Sequence, residues 1–214
     1  MLYKTIIFDL DGTLLNTLVD LYNSVNHAMR TCKFPERTID EVRRFVGNGV
    51  HTLIRRAAPE RITEEQYNAA YDAFEEFYAV HNRDNTAPYD GVVEMLNELR
   101  SRGHKLAIVS NKIDFAVQDL KHEFFDDLVD CAVGDREGIA IKPEPDMVHI
   151  AMKELDAELS DCVYVGDTDV DLATAENSGM PCISVSWGFR SRAELESYHA
   201  GTIVDDPAEI TRIV

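Results

Sequence analysis

The residues that could do chemistry stand at the ends of apolar runs. Thr5-Ile6-Ile7-Phe8 is followed at once by Asp9-Leu10-Asp11-Gly12-Thr13. Burying a carboxylate is costly unless it is paired, so carboxylates directly behind four strand-type residues call for a reason. Residues two apart in a strand share a face, which lets Asp9 and Asp11 approach one centre, and Gly12 permits a tight turn there. A second run, Val163-Tyr164-Val165, ends in Gly166-Asp167-Thr168-Asp169-Val170-Asp171. Asp171 lies four residues past Asp167 and shares a helical face with it. Two acidic strand ends in one crevice make a hard-cation site, and with no His/Cys set at hand the donors favour Mg2+ over zinc. Asp169 reads as a solvated turn residue with N-capping duty.

Two more elements belong with these. Ser110-Asn111 follows Leu106-Ala107-Ile108-Val109, and a hydroxyl with backbone N–H groups at a strand end can hold phosphate oxygens. Lys142 stands in Ile141-Lys142-Pro143-Glu144-Pro145, where prolines stiffen the backbone after it. Carboxylates that share a site with a phosphate need a fixed cation, and Lys142 supplies one.

The elements that must position these groups follow from periodicity. The three runs named above, with Cys131-Ala132-Val133, Cys182-Ile183-Ser184-Val185 and Thr202-Ile203-Val204, are nearly continuous in apolarity, as strands covered on both faces are. Helical patterns separate them. Val92, Met95, Leu96 and Leu99 form one, with Asp90 as N-cap and Gly103 as the stop; another starts at Pro145; a third runs from Asp169 to Ser178 and stops at Gly179. Such alternation predicts an α/β fold, a Rossmann-like parallel-sheet core. From Asn16 to about Thr86 helices replace strands. Leu18, Leu21, Tyr22, Val25 and Met29 form a stripe, Thr63 to Gln66 is a capping-box signature, and Tyr67, Tyr71, Phe74 and Tyr78 line one face as core. The expected domains are therefore a core at 1–15 and 87–214, and a helical cap at 16–86 inserted after the first strand, with Ala87 to Gly91 as the return hinge and turn.

Composition limits what such a crevice can serve. Of 214 residues, 21 are Lys or Arg and 39 are Asp or Glu, a formal net charge of −18. That field argues against nucleic acid as a partner and requires local cations at any phosphate site. No apolar run approaches the roughly 20 residues of a membrane span. The first residues show no signal-peptide cleavage pattern. Cys32, Cys131, Cys162 and Cys182 are scattered and read as buried free thiols, which suits a reducing cytoplasm. His27, His51 and His81 are read as structural or exposed, and Arg43, Arg44, Arg55 and Arg56 mostly as solvated helix faces. For Arg190, after Trp187-Gly188-Phe189, a place at the site rim and an ordinary loop are equally open.

The four chemical elements, in this order, resemble the haloacid dehalogenase superfamily of phosphotransferases. Asp9 to Thr13 is similar to its first motif, Ser110 to its second, Lys142 to its third, and Gly166-Asp167 with Asp171 to its fourth; the resemblance spans essentially the whole chain. Phe45-Val46-Gly47-Asn48-Gly49, Pro88-Tyr89-Asp90-Gly91, Val109-Ser110-Asn111-Lys112 and Lys142 to Pro145 make it most similar to phosphoglycolate phosphatases. Asn16 departs from the acidic residue that many relatives carry there. The resemblance implies a Mg2+-dependent phosphatase with Asp9 as nucleophile and Asp11 as general acid and base. It implies that the Asp9 and Asp167 carboxylates and the Asp11 backbone carbonyl hold the metal. Thr13, Ser110, Asn111 and Lys142 would bind the transferring phosphate, with Asp171 orienting Lys142 or a metal-bound water. Asn48 and Gly49 would lie on a cap loop near the substrate. Dehalogenases and phosphonatases of the superfamily lack an acid at the Asp11 position, which favours phosphate esters or anhydrides. The first-choice substrate is 2-phosphoglycolate. A pyrophosphatase, a sugar phosphomutase and a non-catalytic phosphate-binding module are the alternatives, and oligomeric state is not legible.

Overall fold

All six apolar runs form strands of one sheet. The computed structural model describes residues 2–214. In chain order its strands are β1 (Thr5–Phe8), β2 (Leu15–Asn16), β3 (Ala87–Pro88), β4 (Lys105–Ile113), β5 (Cys131–Asp135), β6 (Cys162–Gly166), β7 (Cys182–Val185) and β8 (Thr202–Val204). The sheet order is β5-β4-β1-β6-β7-β8 and every pairing is parallel. The helices are α1 (Leu18–Thr31), α2 (Ile39–Phe45), α3 (Gly49–Ala57), α4 (Glu64–His81), α5 (Val92–Ser101), α6 (Asp114–Phe125), α7 (Asp146–Glu154), α8 (Asp169–Ser178), α9 (Arg192–Ser197) and α10 (Pro207–Ile213). The chain divides into two compact units, Met1–Asn16 with Pro88–Val214, and Thr17–Ala87. Each boundary falls one residue later than expected from the sequence.

Strand alternation explains why the runs are apolar throughout. Ile6, Phe8, Leu106, Ile108, Val163 and Val165 point to one face, where Val92, Leu96 and Leu99 of α5, Leu120 of α6 and Ile210 of α10 cover them. Ile7, Ala107, Val109 and Tyr164 point to the other, against Met147, Val148 and Ala151 of α7 and Ala175 of α8. Both faces are covered, which is why the runs show no apolar–polar alternation. Each fully buried large aliphatic side chain contributes about 1.5–3 kcal/mol over its exposed state. β1 lies centrally between β4 and β6; Asp9 and Asp167 follow the carboxyl ends of β1 and β6, whereas β4 runs four residues past its apolar run to Ile113, so Ser110 and Asn111 lie within that strand and not behind it.

Two capping expectations, at Asp90 and Asp169, change. Gly91, not Asp90, is the N-cap of α5, with φ +83° and no side-chain cap bond. Asn48 stands at the N-cap of α3 but makes no side-chain cap bond. Thr168, not Asp169, is the N-cap of α8, and the Asp171 carboxylate accepts its N–H and hydroxyl. The hinge expected at Ala87 begins with a short strand, β3, in a two-stranded ribbon with β2.

In the helical unit Leu21, Val25 and Met29 of α1 are buried, as are Tyr67, Phe74 and Tyr78 of α4. Tyr71 is half-buried and stacks on His51 with ring centroids 4.5 Å apart. Thr63 and Gln66 form the expected capping box. Asp20 is 1 % exposed. Its carboxylate accepts the Asn85 amide N–H at 3.0 Å, the Asn85 side-chain amide at 2.8 Å, and the Thr86 N–H and hydroxyl, each at 2.8 Å. This one buried charge fastens α1 to the segment that leaves the unit.

Candidate active site

The strand ends bring Asp9, Asp11, Ser110, Asp167 and the Lys142 segment to one edge of the sheet. Asp9 N–H donates to the Val165 carbonyl at 2.8 Å, extending the β1–β6 ladder one residue into the site. Asp9 Oδ1 accepts the Leu10 N–H at 2.7 Å and lies 2.8 Å from Lys142 Nζ. Lys142 Nζ also reaches Asp171 Oδ1 at 2.9 Å and the Tyr164 hydroxyl at 3.1 Å. One buried ammonium therefore bridges two buried carboxylates. Burial works against its charge, yet Asp171 and Asp9 hold its pKa well above the usual lysine value.

Asp167 is fully buried. Thr13 donates its hydroxyl to Oδ1 at 2.9 Å, and Phe189 donates its N–H to Oδ2 at 2.7 Å. Asp171 Oδ2 accepts the Asp167 N–H at 3.1 Å besides its bonds from Thr168. Burial first, then the Asp171 and Asp9 charges, push the Asp167 carboxyl well above the carboxylate range, against the Phe189 and Thr13 donors. Asp9 is pushed up to about 7, by burial first and by Asp171, against the pull of Lys142. The centre is thus short of positive charge, which a divalent cation would supply.

The donor set fits such a cation. Asp9, Asp167 and Asp171 each offer a carboxylate oxygen, all within 4.8 Å of one another. Lys142 and the α8 N-terminus already engage both Asp171 oxygens, so Asp171 orients its neighbours. The cluster offers oxygen donors alone, the set that suits a hard cation.

The glycines show how tightly Asp167 is framed. A Cβ on Gly12, where φ is +87°, would stand 2.4 Å from Asp167 Oδ2; one on Gly188 would stand 2.2 Å from the Gly12 carbonyl oxygen and 2.4 Å from that same carboxylate oxygen. Only two bare backbones can pack against this carboxylate. Trp187 fixes the loop by donating its indole N–H to the Thr13 carbonyl at 3.0 Å. Sequence reasoning left this loop open; its signal was the glycine in Trp187-Gly188-Phe189. Arg190 is buried with Nε 3.7 Å from Asp169 Oδ1.

The remaining candidates hold distinct places. Asn111 donates its amide to the Lys142 carbonyl at 2.9 Å and accepts the Lys142 N–H at 2.7 Å. That side chain anchors the lysine segment. Ser110 is buried, its hydroxyl accepting the Lys112 N–H at 3.3 Å. Lys112 was not singled out as a site residue, yet its Nζ lies 2.7 and 2.9 Å from the two Asp11 carboxylate oxygens. Nothing in the sequence pairs residues 101 positions apart; only β1–β4 pairing does. Asn48 and Gly49 belong to the helical unit, at the turn into α3, where Gly49 has φ +78°.

Known proteins share this fold. A Lactobacillus delbrueckii subsp. bulgaricus structure, provisionally named a phosphoglycolate phosphatase, is 35% identical with TM-score 0.95, covering 100% of this chain and 98% of that one. A predicted phosphoglycolate phosphatase from Haemophilus somnus is 28% identical with TM-score 0.92 and the same coverage. Pyrophosphatase PpaX from Bacillus cereus strain G9842 is 30% identical over 219 residues, 100% of this chain and 97% of that protein. The profile of the haloacid dehalogenase-like hydrolases matches residues 6–185, a span that holds Asp9, Asp11, Ser110, Lys142 and Asp167, and the chain belongs to that family.

Proposed function

We propose that this hydrolase is a Mg2+-dependent phosphatase of small phosphorylated metabolites that works through an aspartyl-phosphate. The observation that carries the reading is the state of Asp9. Its Oδ1 is held by Leu10 N–H and Lys142, while its Oδ2 accepts from no protein group among the described residues. A carboxylate fixed by one oxygen and open at the other is a placed nucleophile.

Asp9 attacks phosphorus in line; an O–P bond forms as the bond to the leaving oxygen breaks. Asp11 gives that oxygen its proton. Asp11 then takes a proton from the water that attacks the phosphoryl group and frees Asp9. Lys142 offsets charge on Asp9 and on the transferring oxygens, with Ser110 and the Asp11–Thr13 backbone as further donors. Mg2+, held by the Asp9 and Asp167 carboxylates and the Asp11 carbonyl, would lower the repulsion between carboxylate and phosphate. In this reading the helical unit, which carries Asn48 and Gly49, has the part of choosing among substrates.

The first-choice substrate is 2-phosphoglycolate, supported by the names of the two structural relatives. Pyrophosphate is the second reading, supported by the PpaX relatives. Phosphate release from 2-phosphoglycolate, pyrophosphate, sugar phosphates and nucleotides, with Mg2+ or with EDTA, tests both. Release that needs Mg2+ and disappears in Asp9→Asn is the expected result, and the best turnover ranks the substrates. No release by folded wild type would overturn the reading.

A further inference from the structure

Two buried lysines serve the two catalytic aspartates, and only one has a part in the chemistry so far. Lys142 belongs to the nucleophile. Lys112 is just as buried, with 2 % of its side chain exposed, and grips both oxygens of Asp11. Asp11 is more open, at 13 %. An acid that only donates a proton does not need an ammonium clamped to it, and burying a lysine is costly without a purpose or a partner.

In-line displacement places nucleophile and leaving oxygen on opposite sides of phosphorus. Lys142 then stands on the entering side. An ammonium in contact with the group that protonates the leaving oxygen stands on the departing side, about one carboxylate's width from what departs. We infer that Lys112 is the specificity residue for the leaving group, and that the enzyme favours phosphate esters or anhydrides whose leaving group carries its own negative charge. This rests on the phosphatase reading above. An anionic arm on the leaving group draws the ammonium from Asp11 to itself, an exchange of one anionic partner for another. The Asp11 carboxyl is then released toward the leaving oxygen. A neutral leaving group makes no such exchange, and Lys112 stays on Asp11. On a chain of net charge −18, selection of an anion needs a fixed cation at that place.

Four compounds test this with wild type, Lys112→Met and Lys112→Arg. Pyrophosphate and 2-phosphoglycolate have charged leaving groups; propyl phosphate and the amide of 2-phosphoglycolate have neutral ones. The ratio of kcat/KM between the acid and its amide should fall at least about tenfold in Lys112→Met, the scale of one charge-assisted contact, and recover in part in Lys112→Arg. Equal losses on all four would overturn the assignment and leave Lys112 a positioning residue for Asp11. A wild type that prefers the neutral pair would overturn it too. Should Lys112→Met not fold, the wild-type preference decides alone: tenfold or more for charged leaving groups supports the assignment, and parity overturns it. No Mg2+-dependent release from any phosphate on the wider panel sinks the phosphatase reading and the assignment together, an outcome distinct from release without selectivity.

Discussion

Removing the Lys142 ammonium would leave Asp9 and Asp171 facing each other in a buried site. Breaking a buried ion pair from one side costs about 3–5 kcal/mol. Lys142→Met should therefore lower the denaturation midpoint as well as abolish phosphate release, whereas Asp9→Asn, which keeps Lys142 paired with Asp171, should lose activity with little loss of stability. Denaturant titration of both variants distinguishes the two effects. Asp9 also makes stability depend on pH. Its folded pKa, about 7, lies above the usual carboxylate value near 3.8, so the folded state holds the proton more tightly. The stabilisation is complete at low pH and is lost as pH rises through that window. His104 runs the other way, since burial lowers its pKa and the folded state gains as pH rises. The difference between wild type and Asp9→Asn reports the Asp9 carboxyl together with its effect on Asp167, which the Asp9 charge also pushes up. In EDTA, the wild-type melting temperature relative to Asp9→Asn should fall from pH 5 to pH 8, and Mg2+ should raise the wild type more at pH 8 than at pH 5. A flat difference would mean that Asp9 is ionised throughout.

At the scale of elements, the loop after β7 and the hinge of the helical unit each depend on one small feature. Gly188→Ala places a methyl against the Gly12 carbonyl and Asp167, so the loop must shift and the Phe189 N–H must leave Oδ2. Losing an outer-shell donor to a metal ligand typically costs 10–100-fold in affinity, and Mg2+ titration calorimetry of Gly188→Ala should show a loss of about that size. Asp20→Ala strips its partners from Asn85 and Thr86 and should cost about 3 kcal/mol, read as a fall in the melting temperature of about 10 °C. The strands and the motif residues were legible because parallel strands buried on both faces are continuous apolar runs with chemistry at their ends. Asp20 was not legible, since within an amphipathic helix it reads as an exposed first-turn acid until Asn85 and Thr86 return to it. The pairings of Lys112 with Asp11 and of Gly188 with Gly12 were hidden for the same reason. Each depends on strand order, and no periodicity within one element records its neighbours. Asp90 misled in the opposite direction: its residue type suits capping, but Gly91, with its backbone in the left-handed region, caps that helix.

For the whole molecule, the acidic balance and the site oppose one another. A net charge of −18 repels an anionic phosphate compound at long range, while the Lys112 and Lys142 ammonium groups attract it only at close range. Screening separates the two, because the Debye length falls from about 30 Å at 0.01 M to about 8 Å at 0.15 M ionic strength, and buried pairs are screened far less than distant charges. At fixed free Mg2+, raising salt across that range should therefore increase kcat/KM for an anionic substrate while leaving kcat nearly constant, since the distant repulsion fades and the close contacts persist. The opposite slope, a kcat/KM that falls with salt, would show that cations around the crevice already dominate the approach. Within the helical unit, three of the arginines on helix faces have local partners. Arg55 lies over the Tyr67 ring at 4.0 Å and pairs with Glu64 at 3.3 Å, Arg43 pairs with Asp40 at 3.0 Å, and Arg56 donates to the Phe45 carbonyl at 2.9 Å. The net charge of −18 therefore sets the long-range field, which is why the rising slope is the expected one.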